Sequence, residues 1–325
     1  MKTKALTSMQ SAVDIVLSSP HPDNKVAASL FNETTTLSQT NFWPQIILDK
    51  LGTAIRIGDS SGTVHAEVNC LLHFPEKTQG AEIAITDPCC PNCAKNISES
   101  GIKTVYIDHK GFQKDFAARR GEEFKNMSLN ILAHAGISIY EINRKEQSVS
   151  VIHEPEKDYV PAEDNPIEIL PRLDLTIPTK DDLKKLIQSV TVKHPFWGCA
   201  LAVNDDGKIF SLIASTHTAI GFLEEDFTNQ QKTEIHPYPQ NPEKKYNYHL
   251  TPLNRLLFGA TRHNLHLIDG MVWTSLIPNA RELVNFVGAG FSKLNIGEKK
   301  PYAKESALEG LLTLENSGII EVTTL

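Results

Sequence analysis

The sequence predicts a two-domain α/β protein, each domain built from helices layered on a mixed sheet, and three observations carry that prediction. Helical and strand periods of apolar residues alternate along residues 4–142. An acidic stretch with several prolines follows, from Arg144 to about Lys180. Beyond it the order of elements repeats. A chain of 325 residues also suits two cores better than one.

Lys4 to Ser18 places Ala5, Met9, Ala12, Val13 and Val16 on one helical stripe, and the Ser-Ser-Pro that follows stops it. Val26 to Phe31 and Thr35 to Phe42 read as strands joined by an Asn-Glu turn. After an irregular stretch with Gly and Ser, His65 to His73 predicts a helix with Val68, Leu71 and Leu72 on its apolar face. Glu82 to Thr86 then reads as a strand, Pro91 to Ser100 as a helix closed by Gly101, and Thr104 to Ile107 as a strand. Phe116 to His134 predicts a helix closed by Gly136, and Ile137 to Ile142 a strand. The domain is expected to span 1–143, with layers on a mixed sheet.

Residues 144–180 bring Glu154, Glu156, Asp158, Glu163 and Asp164 together with Pro155, Pro161, Pro166, Pro171 and Pro178, which is the composition of an interdomain linker. The second domain is expected over 181–325. Its helices are predicted at Asp181 to Val190, Thr251 to Thr261, Ala280 to Val287 and Glu305 to Glu315. Its strands are predicted at Cys199 to Val203, Ile209 to Ala214, Met271 to Thr274, Phe291 to Ile296 and Ile319 to Leu325, with a long loop over Glu224 to His249. The layout of Asn130 to Ile137 returns in Gly310 to Ile319, and an internal duplication follows as the expectation.

Hydrophobic residues at 40% and charged residues at 22% are the composition of a folded globular protein. A net charge of -7 repels a polyphosphate, and the densest basic runs, Arg119-Arg120 and Lys299-Lys300, are short, so a polynucleotide partner is not expected. No window approaches the ~20 apolar residues of a membrane span. The first 19 residues lack the basic head and apolar stretch of a secretory signal, and a cytoplasmic location is the default expectation. Four of the five cysteines fall between Cys70 and Cys93, a spacing better suited to a metal or thiol site than to a disulfide framework.

The chemistry concentrates in Val64-His65-Ala66-Glu67-Val68 and Asp87-Pro88-Cys89-Cys90-Pro91-Asn92-Cys93. Catalytic zinc sites commonly take three protein ligands, and one imidazole with two thiolates is a known set. A Cys-x-x-Cys at a helix start lets both sulfurs converge while the helix amides favour thiolates. His65, Cys90 and Cys93 are the candidate Zn²⁺ ligands, and Glu67 is the candidate proton carrier beside them. A redox pair would need neither His65 nor Glu67, and a structural zinc would want a fourth protein ligand. Cys70, on the same helix as His65, is expected to pack in the core.

His-x-Glu followed by Pro-Cys-x-x-Cys resembles the signature of the cytidine and deoxycytidylate deaminase superfamily. The element order of residues 4–142 is similar to that family's fold, so the resemblance implies a three-layer cytidine-deaminase-like domain followed by a degenerate copy without zinc ligands. One departure stands: Cys89 intervenes between Pro88 and Cys90, so Cys89 with Cys93 is an alternative pair, although Cys-Pro-Asn-Cys restores the family spacing. The resemblance implies a hydrolytic deaminase releasing ammonia from an amino-substituted nucleobase, with a cytosine-type nucleoside or nucleotide preferred. Deaminases of adenine in transfer RNA, of guanine, or of pterin and riboflavin precursors share the motif, and a binding or regulatory protein with structural zinc is the alternative of another class.

By the same resemblance, Asn41 holds the sugar or base and the backbone amides of Ala66 and Cys90 contact the base. An asparagine at a strand end is more often a turn residue. Phe42 and Trp43 could stack on a base or fill the core beneath the loop, and His109 and Phe112 could line the pocket or lie on the surface. In the second half, Leu250-Thr251-Pro252 is expected to stand where His65-Ala66-Glu67 stands, and Ile277 to Arg281 where the cysteines stand, for packing, homodimer assembly or shaping of the first domain's pocket.

Overall fold

The computed structural model describes residues 2–113, 126–191, 194–228 and 246–325. Arg119-Arg120 and the start of the helix expected from Phe116 lie outside these residues. Helix α1 (Lys2–Ile15) leads to strands β1 (Ala27–Phe31) and β2 (Thr36–Thr40), helix α2 (Gln45–Leu51) and the short hairpin β3 (Arg56–Ile57) and β4 (Ser60–Ser61). Helix α3 (Ala66–His73), β5 (Glu82–Ile85), α4 (Pro91–Glu99), β6 (Thr104–Asp108) and α5 (His109–Phe112) come next. Helical residues 126–134, α6, precede β7 (Ser138–Asn143), β8 (Ser148–His153) and β9 (Glu168–Pro171). Then follow α7 (Lys180–Ser189), β10 (Trp197–Val203), β11 (Ile209–Ser215), β12 (His217–Thr218), α8 (Glu225–Thr228) and β13 (His249–Leu250). The chain closes with α9 (Pro252–Arg262), β14 (His266–Thr274), α10 (Ala280–Gly288), β15 (Lys293–Ile296), α11 (Glu305–Asn316) and β16 (Glu321–Thr324).

The strands form two six-stranded mixed sheets, ordered β2-β1-β5-β6-β7-β8 and β16-β15-β14-β10-β11-β9. In the first, β1 pairs antiparallel with β2 and β5, while β5, β6 and β7 run parallel. In the second, β10 pairs antiparallel with β11 and β14, while β14, β15 and β16 run parallel. Five strands thus share order and direction in both sheets, which establishes the duplication expected from sequence. The copies differ at one edge each, where β8 extends the first sheet and β9 the second.

The helices follow the same rule. The stripe on α1 behaves as its periodicity requires, with Ala5 and Met9 fully buried against Phe31, Ala84, Tyr106 and Ile142. Helix α7 does the same in the second sheet, setting Leu183 and Leu186 against Cys199, Leu201, Ile213 and Trp273.

Two compact units result, one of Met1–Phe42, His65–Asp164 and Thr218–His249, the other of Trp43–Val64, Asn165–His217 and Leu250–Leu325. These differ from the sequence division at 143 and 181 in two respects. The stretch expected to be a linker carries β8 and β9, because an edge strand needs only one apolar face and tolerates proline at its end. Residues 43–64 and 218–249 each group with the sheet that their neighbours in sequence do not belong to. In the second unit Ile47 and Ile57 are fully buried, Arg281 donates to the Thr63 carbonyl, and Lys304 Nζ pairs with Asp59 at 3.0 Å. In the first unit the Phe222 ring stacks on His134 at 4.5 Å, and Lys95 Nζ donates to the His249 carbonyl at 2.6 Å. Gly221 has φ +94° there, and a Cβ on it would meet the His134 carbonyl oxygen at 2.0 Å, so only glycine fits. Among the described residues no helix is long and apolar enough to cross a membrane.

Candidate active site

Two helix starts in the first unit converge beside the carboxyl end of β5. Thr86, the residue after that strand, accepts the Ala27 amide on Oγ1 at 3.0 Å and donates from it to Asp87 at 2.8 Å, which fixes the turn into the cysteines. Cys90 is the N-cap of α4; its sulfur accepts the Cys93 amide at 3.4 Å, and Pro91 fills the first helical position, where no amide partner is required. His65 is the N-cap of α3. That helix is pinned to the sheet by Asn69 Nδ2 donating to the Thr40 carbonyl at 2.9 Å and by the Cys70 thiol on the Ala28 carbonyl at 3.3 Å. Cys70 is fully buried, as packing requires, and burial pushes its thiol up to about 12.

His65 Nδ1 lies 3.2 Å from Cys93 Sγ and 3.7 Å from Cys90 Sγ, and one ligand atom from each of the three residues falls within 4.8 Å of the others. One borderline nitrogen and two soft sulfurs this close form a set that fits zinc. Among the described residues this is the cluster of His, Cys, Asp and Glu able to hold a metal, and it contains three donors rather than four. The hydrogen bond between the two sulfurs lowers Cys90 well below an ordinary thiol and raises Cys93.

Glu67 sits on the first turn of α3 and is 3% exposed. Burial raises its carboxyl to about 7, against the lowering effect of His65, and the carboxyl shares a hydrogen bond with the Cys93 side chain. A buried acid facing the sulfurs is thereby held where it can accept a proton and return it near neutral pH.

Cys89 is buried but stands outside the cluster, with its thiol pushed up by burial. The structure therefore gathers Cys90 with Cys93. Ala66 is fully buried at the start of α3, and Phe42 is half-buried at the end of the first segment. Trp43 belongs to the second unit and is buried there. Asn41 is buried with its side chain engaged: Oδ1 accepts from the Val26 amide at 2.9 Å and the Ser19 hydroxyl at 2.8 Å, and Nδ2 donates to the Asn24 carbonyl at 2.9 Å. His109 pairs with Glu141 at 2.9 Å and meets Gln113 through its other nitrogen.

One neighbour was not singled out by sequence. The loop that Asn41 ties down carries His21, whose Nδ1 accepts the amides of Asp23 and Asn24 at 3.2 and 3.0 Å. Its pKa is lowered by burial, and His65 is near enough to add to that. Only the packing of this loop reveals it.

The profile of the family described as "Cytidine and deoxycytidylate deaminase zinc-binding region" matches residues 2–109, which include all three donors. An uncharacterized deaminase in the luxG 3' region of Aliivibrio fischeri is 30% identical over 122 residues, 37% of this chain and 81% of that protein. ComE operon protein 2 of Bacillus subtilis is 29% identical over 103 residues, 30% of this chain and 48% of that protein. Among solved structures, the dCMP deaminase of cyanophage S-TIM5 in complex with dCMP and dUMP is 20% identical, covering 42% of this chain and 94% of that one, at a TM-score of 0.32.

Proposed function

Because the chain belongs to the cytidine and deoxycytidylate deaminase family, with zinc as that family's cofactor, we propose that it is a hydrolytic deaminase of a cytosine-type nucleoside or nucleotide. The observation that carries this is the position of Glu67, buried and hydrogen-bonded to Cys93 beside three metal donors. A site built only to hold its metal needs no such acid.

In this proposal His65, Cys90 and Cys93 hold the zinc. When bound, zinc supplies Lewis-acid activation of the attacking water. Glu67 accepts a proton from that water and delivers it to the ring nitrogen, and then passes the second proton to the departing amino group, so that one water is consumed and one ammonia released. Burial on α3 raises the carboxyl toward neutrality, which supports its taking up a proton and giving it back. The amides of Ala66 and Cys90, at the two helix starts, are the groups proposed to contact the base. The net charge of -7 supports a small substrate over a polynucleotide.

The test is ammonia release from a panel of cytosine, guanine and adenine bases, nucleosides and nucleotides, transfer RNA and a pterin, alongside metal analysis. Release from cytidine or its monophosphates with bound zinc supports the proposal. Release confined to another base moves the substrate class, and zinc without release from any member shows a structural metal.

A further inference from the structure

The second unit carries a buried polar cluster at the place where the first carries its metal donors. The shared strand order makes α9 the counterpart of α3 and α10 that of α4, so their N-caps correspond: Thr251 to His65 and Asn279 to Cys90. Glu282 is three residues beyond its N-cap, as Cys93 is beyond Cys90. Leu253 takes the place of Glu67 and is fully buried. The sequence expectation, which set Leu250 against His65, is out of register by one residue.

These side chains bond to one another. Asn279 Nδ2 donates to Thr251 Oγ1 at 3.2 Å and to Glu282 Oε2 at 2.9 Å, and the Asn279 amide donates to the same Oε2 at 2.9 Å. The Glu282 amide returns a bond to Asn279 Oδ1 at 3.0 Å, completing a capping box on α10. The other carboxylate oxygen leaves its own helix: Glu282 Oε1 accepts the Asn254 amide of α9 at 3.0 Å. Thr251 makes no side-chain bond to its own helix, so the cap that α9 would take from its N-cap residue comes from α10 instead.

The electrostatics explain why the exchange works. Two helix starts facing each other bring together unsatisfied amides and two positive dipole ends, and an anion between them relieves both. In the first unit sulfurs fill that place, and in the second the fully buried Glu282 carboxylate does.

We propose that Thr251, Asn279 and Glu282 are a converted metal site, in which the Glu282 carboxylate cross-links two helices in place of the cation and the backbone that once held a cation is preserved beneath it. The inference rests on the zinc reading of His65, Cys90 and Cys93. Its test uses the full-length protein, with zinc per chain and Tm as readouts. Wild type is expected to hold one zinc, and the combined variant Thr251→His, Asn279→Cys, Glu282→Cys two. Glu282→Gln, whose amide has a single carbonyl oxygen for two groups of amide donors, is expected to lower Tm by about 4 °C with the first zinc retained. A combined variant that folds as wild type does but holds one zinc overturns the conversion, as does a Glu282→Gln protein with unchanged Tm. If the combined variant does not fold, Glu282→Gln decides by the same criterion. Wild type without zinc overturns the reading of the first unit and the conversion with it, whereas one zinc in both proteins overturns the conversion alone.

Discussion

Cys93 Sγ lies 3.2 Å from His65 Nδ1 although 28 residues separate them, because each stands on the first turn or cap of a different helix and both helices start beside the same strand end. The contact depends on the cap at Cys90, whose sulfur holds the Cys93 amide. Removing any one donor therefore breaks the set.

Cys90→Ser is expected to weaken zinc binding by more than about 100-fold, while Cys89→Ser leaves it intact, because only the former removes a donor. Zinc per chain after dialysis against a chelator checks this. Chelated wild type should also lose Tm and regain it on addition of zinc. Equal zinc loss in both serine variants would move the ligand assignment to include Cys89.

Glu67→Gln keeps the shape of the side chain and removes its ability to take a proton. Turnover should fall by about 10²–10⁴-fold with zinc content unchanged. A glutamine variant that keeps its rate would remove Glu67 from the mechanism.

The two motifs of the site were legible because each is local. His-x-Glu and Cys-x-x-Cys each sit at a helix start, where short sequence distances translate directly into geometry, and α1 declared itself through Ala5, Met9 and Ala12, all fully buried. The remainder is set by packing that no local pattern encodes. Helix α2 has seven residues, and β3 and β4 have two each, too short for a period to register. Strand β8 leaves Val151 59% exposed, so its composition reads as a linker. Nothing around Trp43 states which core it fills, and nothing around Asn41 distinguishes a base contact from the three bonds it makes to the segment before β1. The one-residue slip at Thr251 arose because the second copy retains no ligand to align.

Asn41→Ala is expected to destabilise the protein by about 2–3 kcal/mol, since it removes three hydrogen bonds and leaves the Val26 amide without its acceptor. Asn41→Asp keeps both acceptor bonds and should recover part of the loss. Urea midpoints measure the difference. An alanine variant with unaltered stability and a raised KM would instead establish a substrate contact.

Gly111 in α5 lies against the turn that aims the cysteines: a Cβ there would fall 2.5 Å from the Thr86 carbonyl oxygen and 2.9 Å from Asp87 Cα. Both obstacles are backbone, so neither can rotate away, and Gly111→Ala must displace either α5 or residues 86–87. The cost of such overpacking is about 1–3 kcal/mol. Because Thr86 and Asp87 lead directly into Pro88-Cys89-Cys90, the same displacement should move the Cys90 sulfur away from His65 and weaken zinc binding. Gly52→Ala, which meets nothing within 4 Å but carries φ +70°, is the matched control for backbone strain alone. Zinc retention against a graded chelator series should fall for Gly111→Ala and not for Gly52→Ala. Equal retention in the two variants would show that the turn after β5 absorbs the displacement without passing it to the metal donors.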